Sequence, residues 1–179
     1  MTKSRYAGQL IDRLLADRIV LLTQPIDDEV THYLLAQLLF LMDRDNEKPI
    51  ALYIDSPGGS LSDSLAIIDT IVESSTPVHT TCVGYAAGTA LLVLACGTRG
   101  TRGALPHAEM QMISVDLPDQ GRSFEDRLQL KRVEDLVVSR FAVYSRQPEH
   151  RIRVDVDADT LFYAHEAREY GLIDYIVKV

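Results

Sequence analysis

Ile50-Ala51-Leu52-Tyr53-Ile54-Asp55-Ser56-Pro57-Gly58-Gly59-Ser60 opens as an apolar run and closes on a Pro-Gly-Gly turn. A short apolar run stopped by turn residues reads as a buried strand. The residues that follow carry Leu61, Leu65, Ile68 and Val72 on one helical face, so the unit is strand, turn, helix. Paired glycines at the C-terminal end of a strand let the backbone approach a ligand closely, and their N–H groups can face a developing negative charge. Alone, the motif is an ordinary strand-to-helix turn.

The same alternation extends in both directions. Upstream, Ile11, Leu14 and Leu15 mark a helix, and Ile19 to Leu22 reads as a strand ending at Thr23-Gln24-Pro25. Asp27-Asp28-Glu29 then places carboxylates at a helix start, with Val30, Leu34, Leu38 and Leu41 as its apolar face, and Asp43 to Pro49 is a polar loop. Downstream, Thr76-Pro77 breaks the helix and Val78 to Val83 reads as a third strand. Gly84 to Gly88 turns from it into an apolar helix ending near Cys96-Gly97. This order predicts parallel β-α-β units with right-handed crossovers.

The second half is less regular. Gly97 to Pro106 reads as a turn-rich link, Met110 to Val115 as a strand, and Pro118 to Arg122 as a polar loop. A long helix follows, with Leu130, Val133, Val137, Phe141 and Tyr144 on one face. At about 23 residues it spans roughly 35 Å, enough to project from a small body or to lie along its own core. The reading is one α/β domain over residues 1–179, with the projecting region at about 110–147.

Composition removes several function classes. A net charge of -8 argues against general nucleic-acid binding, which needs clustered cations, and the pair Lys131-Arg132 sits among mixed charges. No stretch of about 18 apolar residues suggests a membrane span, and Met1 to Gly8 has no apolar targeting core, so the expected compartment is the cytoplasm. Cys82 and Cys96 fall in apolar segments, where burial is the ordinary fate of a lone thiol. Nothing in the sequence calls for a metal or cofactor.

Gly84-Tyr85-Ala86-Ala87-Gly88-Thr89 is a second strand-to-helix turn, the geometry that in serine hydrolases lifts a nucleophile onto a helix N-terminus. The apex should supply a hydroxyl oxygen, and the next backbone N–H should complete an oxyanion hole. Here the apex is Gly88. The N–H of Thr89, together with that of Gly58, is the candidate oxyanion-stabilising pair.

Taken together, Leu14-Leu15 to Thr23, Tyr53 to Gly59, Gly84 to Gly88, Glu166-Ala167 and Glu169-Tyr170-Gly171-Leu172-Ile173-Asp174 resemble the ClpP family, the proteolytic subunits of ATP-dependent Clp proteases. The resemblance covers nearly the whole chain in the right order. It implies the ClpP and crotonase-type spiral of β-α-β units with a projecting handle helix, and assembly into heptameric rings. The family's nucleophile lies in Gly-x-Ala-Ala-Ser-Met, which aligns to Gly84 through Thr89 and puts Gly88 where the serine belongs. Its histidine falls on Ile113, counting from Leu105-Pro106, or on Ser114 if the register slips by one. Its aspartate aligns to Asp155, read as a loop carboxylate with no histidine left to orient.

The resemblance therefore implies a catalytically degenerate, ClpR-type paralogue that shares a ring with active ClpP subunits and works beside an AAA+ Clp ATPase. The compartment would be the cytoplasm, or the plastid stroma for a processed organellar form. Of the family's ATPase-docking pocket, Tyr53 and Leu105 fit, whereas Ala51 and Glu73 stand where aromatic residues are expected, which should weaken docking. Two other readings remain open: a rewired peptidase using His107 or Ser114 with Ser56 or Ser60, and a crotonase-like acyl-thioester enzyme using the Gly58 and Thr89 amides. The pore-lining N-terminal segment should be short or absent, and Asp116 to Arg122, with Pro118 and Asp119-Gln120-Gly121, should make a poorer strand for ring stacking.

Overall fold

The computed structural model describes residues 10–113 and 124–178, the stretch 124–130 as backbone only. The expectations for Met1 to Gly8, Ser114, Val115 and the loop Asp116 to Arg122 lie outside the described residues. Helix α1 covers residues 10–16, β1 is Ile19–Leu22, α2 Asp28–Arg44, β2 Ile50–Ser56, α3 Leu61–Glu73, β3 Val78–Ala87 and α4 Thr89–Ala95. Then follow β4 Gly103–Ala104, β5 Glu109–Gln111, α5 Phe124–Ser145, α6 Glu149–Asp157, β6 Leu161–Tyr163, α7 Ala164–Tyr170 and β7 Tyr175–Ile176.

The sheet runs β1-β2-β3-β4-β7, parallel throughout, with β5 added parallel to β3 and β6 antiparallel to β5. This is the expected mixed α/β arrangement. Its strands are apolar because helices cover them. Val20, Leu22, Leu52, Ile54, Ile67, Ile68, Leu91 and Leu94 are fully buried between sheet and helices. Each such side chain contributes about 1.5–3 kcal/mol of transfer free energy. Asp27 caps α2 by accepting the Val30 N–H at 2.8 Å, and Ser60 caps α3 through the Asp63 N–H at 3.4 Å.

Three local expectations are corrected. The third strand does not stop at Val83 but continues to Ala87, because Tyr85, Ala86 and Ala87 find a second partner in β5. A bulge makes this possible: the register passes from Ile54↔Cys82 to Ser56↔Ala86, and Asp55 Oδ1 accepts the Tyr85 N–H at 2.9 Å within it. The link from Gly97 to Pro106 contains the two-residue strand β4. The segment holding Asp155 is not a loop; Pro148 starts α6, and Ile152 and Val156 give that helix a buried face.

Helix α5 has 22 residues, and from Val137 onward its Val137, Phe141 and Tyr144 face is buried. Lys131 and Arg132 are exposed. The base of α5 is held by Arg102, itself 3% exposed. Its guanidinium donates to Asp174 at 2.9 and 2.7 Å and to the carbonyls of Ala95 and Tyr144 at 3.2 and 3.0 Å. Burial disfavours ionised Asp174, but the Arg102 guanidinium and the N–H groups of Arg102 and Gly100 outweigh it and hold the carboxyl below its usual range.

Candidate active site of a hydrolase-type elbow

β3 delivers Gly88 to the N-terminus of α4 through a sharp turn. Its backbone sits at φ 51°, ψ -118°, outside the regions open to side-chain-bearing residues, and its N–H donates to the Gln111 carbonyl at 2.9 Å. Among the described residues, and apart from its chain neighbours, a Cβ placed on Gly88 would meet one atom within 4 Å, the Cβ of Ile113 at 3.8 Å. The apex and the position aligned with the base therefore face each other across one van der Waals contact. Neither offers a hydroxyl or an imidazole.

The Pro-Gly-Gly loop is packed directly on this turn. Gly58, at φ 86°, comes so close that a Cβ there would stand 2.6 Å from the Ala87 carbonyl oxygen and 3.0 Å from Thr89 N. The Gly59 N–H donates to Thr89 Oγ1 at 3.0 Å. Ser56 Oγ donates to the Gln24 carbonyl at 2.7 Å and accepts the Gly58 N–H at 3.1 Å. Of the two expected oxyanion donors, Gly58 is thus engaged inside its own loop, while Thr89 N opens the first turn of α4. A hollow of about 200 Å³ beside the elbow is lined by Leu61, Gly88, Leu92, Ile113, Val137 and Phe141, with Gly59 and Thr89 completing it. Among the described residues lining it, none is ionisable.

Asp155 is held by neighbours of its own. That carboxylate accepts a hydrogen bond from the Tyr170 hydroxyl and pairs with Arg151 at 3.7 Å, tying α6 to α7. Burial, then the bond to Asp155, pushes the Tyr170 hydroxyl above its usual range. Strands β5 and β6 pair Glu109↔Tyr163, Met110↔Phe162 and Gln111↔Leu161, and the Met112 N–H continues to the Thr160 carbonyl at 3.0 Å. Ile113 and Asp159 are the next residues along from that bond. Asp159, which the sequence reading did not single out, sits at φ 48° just beyond α6, where its backbone carbonyl accepts the Gln111 side-chain amide at 3.0 Å.

The sequence profile of the Clp protease family matches residues 2–179. The chain belongs to the Clp protease family. Members of the Clp protease family form rings and partner with Clp ATPases.

The remaining candidates can be placed within this Clp protease fold. Ser56 is 1% exposed and fully used as a loop brace, and Ser60 is spent on capping α3, its hydroxyl 3.1 Å from that of Ser62. His107 is exposed in the turn after Pro106. The hydroxyl following the apex, Thr89 Oγ1, is tied to Gly59. Cys82 and Cys96 are free and buried, and desolvation pushes both thiols up to about 12, far from a reactive thiolate.

Of the four docking candidates, Ala51 and Tyr53 are half-buried on one face of β2, flanked by Ile19 and Leu21 of β1 and by His79 and Thr81 of β3. Alternation from Gly103, which pairs with Thr81, places Leu105 on the same face. Glu73 stands apart, exposed at the C-terminal end of α3. Among the described residues, no helix is long and apolar enough to cross a membrane.

Proposed function

We propose that this chain is a non-catalytic subunit of a Clp protease complex, sharing a ring with active ClpP paralogues in the cytoplasm or a plastid stroma. The observation that carries the reading is the single Gly88-to-Ile113 contact. A Cβ on Gly88 would lie 3.8 Å from that of Ile113, which supports reading these as the nucleophile and base positions with neither a hydroxyl nor an imidazole present. Loss of either group alone abolishes most of the rate in such triads.

A subunit of this kind contributes walls rather than chemistry. Its apolar sheet face with Tyr53 and Leu105 offers an ATPase part of a docking surface, while Ala51 and Glu73 leave that surface poor in aromatic contact. The protein therefore shapes the chamber, or selects the ATPase, for neighbours that cut.

The test uses the purified chain with a fluorogenic peptide, alone and mixed with an active paralogue, and native mass spectrometry of the mixture. Mixed rings, with cleavage only when the paralogue is present, are expected. Cleavage by the lone protein that is blocked by a serine-directed reagent would overturn the reading.

A further inference from the structure

Gln111 bonds to both the elbow and the turn at Asp159, and stands two residues before position 113. Its carbonyl accepts the Gly88 N–H at 2.9 Å, which pins the elbow. Its side chain lies on the face of β5 that also carries Ile113, two residues on. There the amide oxygen accepts the Tyr85 hydroxyl, and the amide nitrogen donates to the Asp159 carbonyl at 3.0 Å. Tyr85 belongs to the bulged part of β3 that leads to Gly88. One side chain thus connects the elbow strand to the left-handed turn at Asp159.

The bonding is directional. An amide can accept at one end and donate at the other, so Gln can bridge a hydroxyl to a carbonyl in this sense whereas an apolar side chain such as Met cannot. Asp159 at φ 48° adopts a conformation that costs a non-glycine residue about 1 kcal/mol or more and persists where its surroundings hold it. The Gln111 amide is such a hold.

We propose that Gln111, braced by Tyr85, is a positioning residue that keeps the Asp159 carboxylate facing position 113. The frame for orienting an imidazole is then intact although the imidazole is missing. The inference takes from the proposed function only the correspondence of positions 88 and 113, and its test reads no activity, so a peptidase result bears on that function alone.

The test is Ile113→His, followed by NMR titration of the introduced imidazole in the full chain. A carboxylate within about 4–6 Å favours the charged imidazolium. The pKa of the introduced imidazole should therefore rise by about one unit above the ordinary value near 6.5. Asp159→Asn in the same background should return it to about 6.5, and Asp155→Asn should leave it raised. Gln111→Met should remove at least half of the rise, and the milder Tyr85→Phe a smaller part. The other acidic group on this face of β5 is Glu109, four residues and roughly 13 Å from position 113, too far to supply the effect. An introduced imidazole that titrates near 6.5 with Asp159 intact overturns the placement. A rise that survives both Gln111→Met and Tyr85→Phe overturns the role of Gln111.

Discussion

Replacing Gly88 by serine tests the elbow directly. Two terms set its energetic effect, packing and backbone strain. Packing contributes little, since the new Cβ meets only Ile113 Cβ at 3.8 Å, an ordinary contact. Strain contributes more, because φ 51° with ψ -118° lies outside the allowed regions and typically costs about 1–3 kcal/mol. With a urea m-value of roughly 1–3 kcal/mol/M, the midpoint of unfolding should fall by about 1 M. The measurement is urea unfolding by circular dichroism at fixed protein concentration, since ring formation would couple stability to concentration. Peptide hydrolysis should stay at background, because Ile113 cannot accept the hydroxyl proton. An unchanged or raised midpoint would refute the claim that the elbow is a strained conformation relieved by glycine. Robust hydrolysis would refute the reading of position 113 as the place of the base.

Further perturbations reach other parts of the fold. Asp174→Asn leaves the buried Arg102 charge without its counterion and should destabilise by about 3–5 kcal/mol, read as a lowered denaturation midpoint. Because the Asp174 pKa is depressed in the folded state, its contribution is complete above about pH 3.9 and is lost as pH falls below that. An acid titration of stability should therefore lose its steepest segment below about pH 3.9 in the variant. Gly58→Ala drives a methyl to 2.6 Å from the Ala87 carbonyl oxygen in a left-handed conformation and should cost at least about 2 kcal/mol, measured the same way. A thiol reagent at about pH 8 should leave Cys82 and Cys96 unmodified in the native protein and label both in urea, since burial pushes each thiol up to about 12.

The first half of the fold could be read from the chain because its elements are long enough to show a period. Val30, Leu34, Leu38 and Leu41 face the core of α2, apart from the half-buried Val30, and Ile50 to Ile54 form the buried strand that the apolar run suggests. In the second half, β4, β5, β6 and β7 have two or three residues each, too few for any alternation to register. With α6 unrecognised, Asp155 fell in an assumed loop, and the turn at Asp159 that follows it went unread. Gly88 and Ile113 were read by spacing along the chain, and a Cβ on Gly88 would lie 3.8 Å from that of Ile113. The Gln111 bridge carried no sequence signal, since a lone glutamine in a strand shows nothing of its partners.

The ten-residue strand β3 serves two wings of the sheet, β4 through Thr81 and Cys82 and β5 through Tyr85 to Ala87. Each wing is finished by the last part of the chain, β7 against β4 and β6 against β5. Residues 161–176 are made after β4 and β5, so a nascent chain that has reached α6 carries two open strand edges. Such pairings are slow to form because distant segments must meet, and unpaired edges invite association in the meantime. Folding should therefore depend on how quickly residues 161–176 become available, and a chain stopped before residue 161 should yield aggregates rather than a smaller folded subunit.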